Sequence, residues 1–366
     1  MTKVAHLSTF PEMRCGIANF AQDMIAATPA IDHAKYSLHY GSNPCRDCAA
    51  EANVNDASRL RDLAILIQRS HAELVVIQHE FGIWGGQDGE HIFEFLQHIN
   101  KPIVSILHTT FAAQVQSRLR ERILLELIKR SRLVIVLTEM AKTSLEHLAG
   151  HSLANVLVVP HGVPDCSPAS LPECDHVALI TVGFFRESKG FENVLLAVRQ
   201  LVDEGLRIKY AIAGEPQRQF GGQGDYEAFI RGLIGALELD GVVNIDARYL
   251  TVSEQIEAIH QSHLGVFAYQ DPSQSSSGAL PLVLSAGRAV VSTPFEYAKS
   301  KASEGFGILL SDDFGSRALA RSIRRAIDTD FMKEGEHKHS KVREAEWGAV
   351  GKIVSSHLRT LAASAP

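Results

Sequence analysis

Short runs of consecutive apolar and β-branched residues alternate along this chain with longer stretches whose apolar positions recur every three to four residues. The runs fall at 4–8, 36–40, 74–79, 103–108, 133–137, 156–159, 177–182, 209–213, 242–245, 264–268, 289–292 and 307–310. Several are apolar at nearly every position, as strands covered on both faces are. Strands alternating with helices predict βαβ units and parallel sheets. Twelve strands are too many for one open doubly wound sheet, so the pattern divides into two of about six.

The predicted fold class is α/β, with two Rossmann-like doubly wound domains. The division falls at residues 162–172, where Pro164, Pro168 and Pro172 stand among serines without periodicity. The expected domains are 1–165 and 176–335. A leftover helical pattern at 341–361, carrying Trp347, Val350, Ile353, Val354 and Leu358, is expected to cross back to the first domain.

Composition narrows the classes. A chain of 366 residues that is 45% hydrophobic and 21% charged is an ordinary globular protein. Its net charge of −6, without a polybasic tail, excludes nucleic acid as an expected partner. Five cysteines are too few for a disulfide framework, and the Cys45-x-x-Cys48 pair lacks a second pair at zinc spacing. The opening residues lack the apolar core of a signal peptide, and the expectation is a reduced, cytoplasmic protein.

In doubly wound folds, ligands bind at the carboxyl ends of the strands, so the loops that follow strands carry the candidate chemistry. In Gly183-Phe184-Phe185-Arg186-Glu187-Ser188-Lys189-Gly190, a strand, a short loop ending in Lys-Gly and a helix make a phosphate-binding arrangement. Ser275-Ser276-Ser277-Gly278-Ala279-Leu280 opens a later helix with hydroxyls and amides suited to a second phosphate. Arg248, Tyr249 and Glu254 follow another strand and are candidates for the nucleotide or sugar. In the first half, Arg14 and Gly16 follow the first strand, where a glycine lets a ligand approach the backbone. Glu80 and Trp84 lie in a glycine-rich loop expected to be flexible, with the Trp84 ring offering a stacking face. His108 ends the fourth strand, placed to contact a ligand hydroxyl. No clustered carboxylate or His/Cys set stands in these loops, so no cofactor and no metal is expected. The segment 117–132 reads as a basic amphipathic helix, a candidate for peripheral contact with the inner face of a membrane.

Taken in order, these landmarks resemble the nucleotide-sugar glycosyltransferases of the GT-B fold, and within it the large retaining family 4. The resemblance covers nearly the whole chain. It rests on Arg14-Cys15-Gly16-Ile17, on His108, on Val159-Pro160-His161-Gly162-Val163, on Gly183 through Lys189-Gly190, and on Gly287-Arg288-Ala289-Val290-Val291-Ser292-Thr293-Pro294. It implies two domains facing across a cleft, a nucleotide-diphosphate sugar on the second and a saccharide or lipid-linked acceptor on the first. It further implies a role in polysaccharide or glycoconjugate biosynthesis. By the same resemblance, Gly16, Arg186, Lys189, Ser276, Ser277 and Gly278 meet the donor phosphates. Gly183, Arg248, Tyr249, Glu254, Ser275, Ala279 and Leu280 meet the nucleotide or sugar. Arg14, Glu80 and Trp84 lie on the acceptor side, and His108 is the catalytic contact to the transferred sugar.

Two departures mark a divergent branch. The family's arginine directly after the glycine is here Phe184, with Arg186 as the nearest substitute. The family's paired glutamates align with Ser276 and Leu284, so no catalytic glutamate is carried over. Two other readings share the architecture: a nucleotide-sugar 2-epimerase, and a non-catalytic nucleotide-sugar-binding scaffold.

Overall fold

The computed structural model describes residues 1–41, 45–110, 117–216 and 226–364. It comprises two compact units, Met1–Gly162 with Ala345–Pro366 and Val163–Glu344.

The first unit is built on β1 (Thr2–Ser8), β2 (Ile31–His39), β3 (Ala50–Asn53), β4 (Leu74–His79), β5 (Ile103–Leu107), β6 (Ser131–Val136) and β7 (Val156–Val158). They form one sheet in the order β3-β2-β1-β4-β5-β6-β7, and every pair is parallel. The apolar-run reading missed β3, whose Ala-Glu-Ala-Asn sequence carries no β-branched residue. It forms because β2, starting at Ile31 rather than 36, offers it an edge from Tyr36 to His39. The central β4 is buried at every position, as a strand covered on both faces must be.

Helices cover the sheet through apolar stripes. In Ala57–Arg69 the buried positions are Leu60, Leu63, Ala64 and Ile67, and Asp56 caps its start by accepting from the Ser58 amide at 3.0 Å. The final helix, Trp347–Ala363, lies in this unit against Gly16–Ala27 and buries Val350, Val354 and Leu358 with Phe20 and Met24.

The basic helix is Arg118–Arg130, and residues 131 and 132 belong to β6. Its apolar face is not a membrane face. Ile123, Leu124, Leu127 and Ile128 are buried in the core of this unit, each worth about 1.5–3 kcal/mol there. Two of its cations are engaged: Arg120 pairs with Asp88 at 2.7 Å, and Arg130 donates to the Leu96 and Ile99 carbonyls. Arg118, Arg122 and Lys129 remain exposed, and peripheral membrane contact through this helix is not shown. No helix among the described residues is long and apolar enough to cross a membrane.

The second unit holds β8 (Val177–Val182), β9 (Ile208–Ala213), β10 (Val243–Asp246), β11 (Leu264–Phe267), β12 (Ala289–Ser292) and β13 (Ile308–Leu310). Their order is β10-β9-β8-β11-β12-β13, again all parallel. The proline-rich segment after 162 is packed, not a loose tether. Arg288, fully buried, donates to the carbonyls of Ala169, Ser170, His260 and Ser262 at 2.6–3.0 Å.

Candidate functional site

Both sheets reverse strand order beside a central strand, between β1 and β4 in the first and between β8 and β11 in the second. Loops leave in opposite directions there and open a crevice at the carboxyl ends. Several of the candidate residues follow the strands at these two points, whereas Arg248, Tyr249 and Glu254 follow the edge strand β10.

In the second unit the reversal point is built around close backbone approach. A Cβ on Gly214 would lie 2.0 Å from the Gly183 carbonyl oxygen, so the two strand ends meet only because residue 214 is glycine. A Cβ on Gly183 would lie 3.4 Å from the Ala279 methyl, which puts the phosphate-type loop beside the Ser275–Ala279 turn. Phe185 and Phe191 stack at 4.4 Å and anchor the loop from beneath. Gly190 closes it in a left-handed conformation, φ +64°, where a Cβ would strike the Ala268 oxygen at 2.1 Å. The Gln270 amide donates to the Ser188 carbonyl at 3.0 Å and ties the loop to the end of β11.

Lys189 is not the exposed side chain that the loop pattern suggested. It is half-buried, with Nζ 3.4 Å from the centre of the Tyr269 ring. Burial, and then the neighbouring Arg186, hold its ammonium pKa well below the usual lysine range. Arg186 is exposed. Burial pushes the Tyr269 hydroxyl up to about 12, while Ser277 and Arg186 pull the other way. The pair is thus an amine held against an aromatic face, with no carboxylate partner among the described residues.

The serine turn divides. Ser275 and Ser277 are buried, and Ser277 Oγ accepts the Leu280 amide at 3.2 Å and faces the Tyr269 hydroxyl at 3.4 Å. Ser277 is therefore occupied as a turn brace. Leu280 is fully buried and offers no side chain to a ligand, a correction to its assignment. Ser276 is half-buried, Ala279 is half-buried and Gly278 is exposed, which leaves these three as the accessible part.

Arg248 and Glu254 are also committed locally. Arg248 grips Asp246 through Nε at 3.0 Å and Nη2 at 2.8 Å. Glu254 closes a capping box with Thr251, accepting from its amide and hydroxyl at 2.8 Å. Hydrogen bonds from Thr251 hold that carboxyl below the usual range. Tyr249 is exposed beside them.

In the first unit, Cys15 caps the helix Gly16–Ala27, its Sγ accepting the Ala18 amide at 3.4 Å. Gly16 is exposed, and a Cβ there would meet nothing within 4 Å, so the space above the helix start is open. Arg14 is exposed in a left-handed conformation, φ +43°. His108 ends β5, nearly fully buried, with its ring edge-on to Phe20 at 4.7 Å. Burial, then the nearby His161 and His79, push its imidazole down to about 3, so the ring is neutral. Glu80 is half-buried, accepting the Phe81 amide at 3.1 Å and the Thr109 hydroxyl.

Trp84 is a correction. It is fully buried, donates Nε1 to the Gln78 carbonyl at 3.3 Å and packs against Phe95, so its face is not open to an acceptor. The surrounding loop packs closely on its neighbour, since a Cβ on Gly85 would lie 1.9 Å from the Val54 oxygen. Sequence reasoning missed Gln78 and Tyr269; only their position at strand ends signalled them. It also did not anticipate the disulfide between Cys45 and Cys48. Among the described residues, no group of three His, Cys, Asp or Glu could hold a metal ion.

No family model matches the sequence, and no curated protein matches it. Solved structures do. Sucrose-phosphate synthase from Thermosynechococcus elongatus superposes with a TM-score of 0.76 at 15% identity, over 100% of both chains. HepE from Anabaena, in complex with UDP-glucose, gives 0.76 at 14% identity over 98% of this chain and 100% of that one. A glycosyltransferase from Rickettsia africae ESF-5 gives 0.71 at 12% identity over 98% of each. Across its whole length, then, the chain has the two-sheet GT-B fold of these glycosyltransferases.

Proposed function

We propose that the protein is a glycosyltransferase that moves a sugar from a nucleoside-diphosphate sugar to a saccharide or lipid-linked acceptor, with retention. The observation that carries this reading is the pair of basic side chains at the β8 reversal point. Lys189 lies over Tyr269 with Arg186 as its charged neighbour, beside exposed backbone at Gly278. The fold adds weight, since HepE of the same fold is solved with UDP and with UDP-glucose.

In this reaction the bond between the anomeric carbon and the diphosphate oxygen breaks, and the electron pair leaves with the diphosphate. Lys189, Arg186 and loop amides stabilise the charge as it develops, through an oxocarbenium-like sugar. An acceptor oxygen forms the new bond to the anomeric carbon and gives up its proton. The family resemblance assigns His108, neutral at the end of β5, to the transferred sugar. Lysine, arginine and amides supply the charge that a metal supplies elsewhere, so activity is expected to persist in EDTA. The absence of a carboxylate at 276 and 284 favours a second reading, a scaffold that binds the nucleotide sugar without turning it over.

A thermal-shift screen against UDP-, GDP- and ADP-sugars, followed by assay of nucleoside diphosphate release, tests the proposal. A sugar nucleotide that raises the melting temperature and releases its diphosphate supports transfer. Binding without release supports the scaffold, and no shift with any of the three removes both.

A further inference from the structure

We propose that the Cys45–Cys48 pair is a thiol–disulfide exchange site for a dithiol partner, and that its oxidation state sets the order of the loop between β1 and the helix Gly16–Ala27. Its bearing on activity rests on the reading of Arg14 and Gly16 in that loop as ligand contacts.

The pair closes the turn Cys45-Arg46-Asp47-Cys48 between β2 and β3. A cross-link over so few residues constrains the unfolded chain least, so the bond contributes little as a staple. It is also within reach of a reductant. Cys45 and Cys48 are half-buried, and Arg46, Asp47 and Ala49 around them are exposed. The other cysteines, Cys15, Cys166 and Cys174, stay as thiols. Where thiols persist beside one short and accessible disulfide, that disulfide is of the exchanging kind.

The turn leans on the β1 loop at two places. The Arg46 amide donates to Glu12 Oε1 at 3.5 Å. The Asp47 carboxylate lies 3.9 Å from Lys35 Nζ, which stands 5.4 Å from the centre of the buried Phe10 ring. The Phe10 and Pro11 carbonyls accept the Met13 and Arg14 amides at 2.8 and 3.0 Å, the bonds that close the loop. On its other side the Cys45 amide donates to Glu51 Oε2 on β3 at 3.2 Å. The disulfide thus gathers in one turn the groups that join the β1 loop to the β2–β3 edge of the sheet. In a reduced pair these residues regain rotational freedom, and contacts this long and exposed do not hold them.

The exchange balances. A thiolate of the reductant attacks one sulfur of the pair, the S–S bond breaks, and the other sulfur leaves as a thiolate. The reductant's second thiolate then displaces the remaining cysteine from the mixed disulfide. Cys45 and Cys48 end as thiols and the reductant as a disulfide, two electrons and two protons having passed to the protein.

The test takes the full-length protein through a dithiothreitol redox series, with free thiols alkylated and counted by mass spectrometry after denaturation. Three thiols should be found at the oxidising end and five at the reducing end, reversibly, with Cys45 and Cys48 the pair that changes. Hydrogen exchange at the Met13, Arg14 and Arg46 amides should be about tenfold faster in the reduced form. The double variant Cys45→Ser with Cys48→Ser should exchange at the reduced rate at both ends of the series. Should that variant fail to fold, the wild-type comparison decides alone. A pair that stays as thiols at the oxidising end, a disulfide that resists the dithiol in the folded protein, or equal exchange rates in the two forms overturns the proposal. UDP-glucose turnover should differ between the two forms by about threefold or more. Equal turnover with unequal exchange rates would take Arg14 and Gly16 out of the reaction while leaving the exchange site standing. No turnover in either form would sink the sugar-transfer reading alone.

Discussion

The Lys189 ammonium lies 3.4 Å from the centre of the Tyr269 ring, at the point where the strand order of the second sheet reverses. The ring compensates part of the desolvation that lowers the lysine pKa, and an arriving diphosphate would supply the rest. Binding should therefore take up a proton whenever the pH exceeds the depressed free-protein value. Affinity should fall as pH rises from that value towards the restored value in the complex. Calorimetry of UDP binding in buffers of different ionisation enthalpy measures this uptake, and Lys189→Met should abolish it.

The same substitution separates binding from folding. A lysine with a lowered folded pKa costs stability at every pH below the ordinary lysine value. Lys189→Met, which fills the space without charge, should keep or raise the melting temperature of the ligand-free protein. Its UDP affinity should drop about tenfold to a hundredfold, the loss of a charge-assisted contact worth roughly 1.5–3 kcal/mol. Equal affinity in wild type and variant would remove the phosphate role of Lys189.

Gly190 should tolerate no side chain. Its φ is +64°, and the Ala268 oxygen lies 2.1 Å from where a Cβ would stand, which leaves no room for a methyl group. Gly190→Ala should destabilise the protein by more than about 1 kcal/mol in denaturant titration and weaken UDP binding together. A variant of normal stability and affinity would show that the loop is free to move.

Arg288 should be a stability residue. Its guanidinium donates to four carbonyls drawn from residues 169–170 and 260–262 and is fully buried. Arg288→Met leaves those carbonyls without their charged donor and should cost about 3 kcal/mol or more. Circular dichroism melting reads this directly, and a loss under about 1 kcal/mol would contradict it.

The first unit should be acid-sensitive. Burial pushes His79 and His108 down to about 3, and His6 well below its usual value. Each stays neutral when folded but takes a proton when unfolded once the pH falls below about 6.5. Their contribution to stability is thus complete above that value and is lost as the pH falls towards 3. The slope should approach ~1.4 kcal/mol per pH unit for each histidine. His79, whose two ring nitrogens lack hydrogen-bond partners among the described residues, is the cleanest probe. His79→Leu should flatten the dependence between about pH 6.5 and 4 in urea titrations.

Alternation of apolar runs with helical patterns was enough to read two parallel sheets, because a strand covered on both faces must be apolar along its length. The places of the Lys-Gly loop and His108 at strand ends were legible for a related reason: both lie directly after such runs. What the pattern could not carry was the direction of each side chain. Trp84 and Leu280 read as ligand contacts from their loops, yet tertiary packing buries both. Glu254 read as a sugar contact but closes its own helix. The apolar stripe of Arg118–Arg130 had two physical partners open to it, a membrane or its own sheet, and only the folded core decided between them. β3 escaped because an edge strand is stabilised by the hydrogen bonds of its neighbour and not by its own apolar residues.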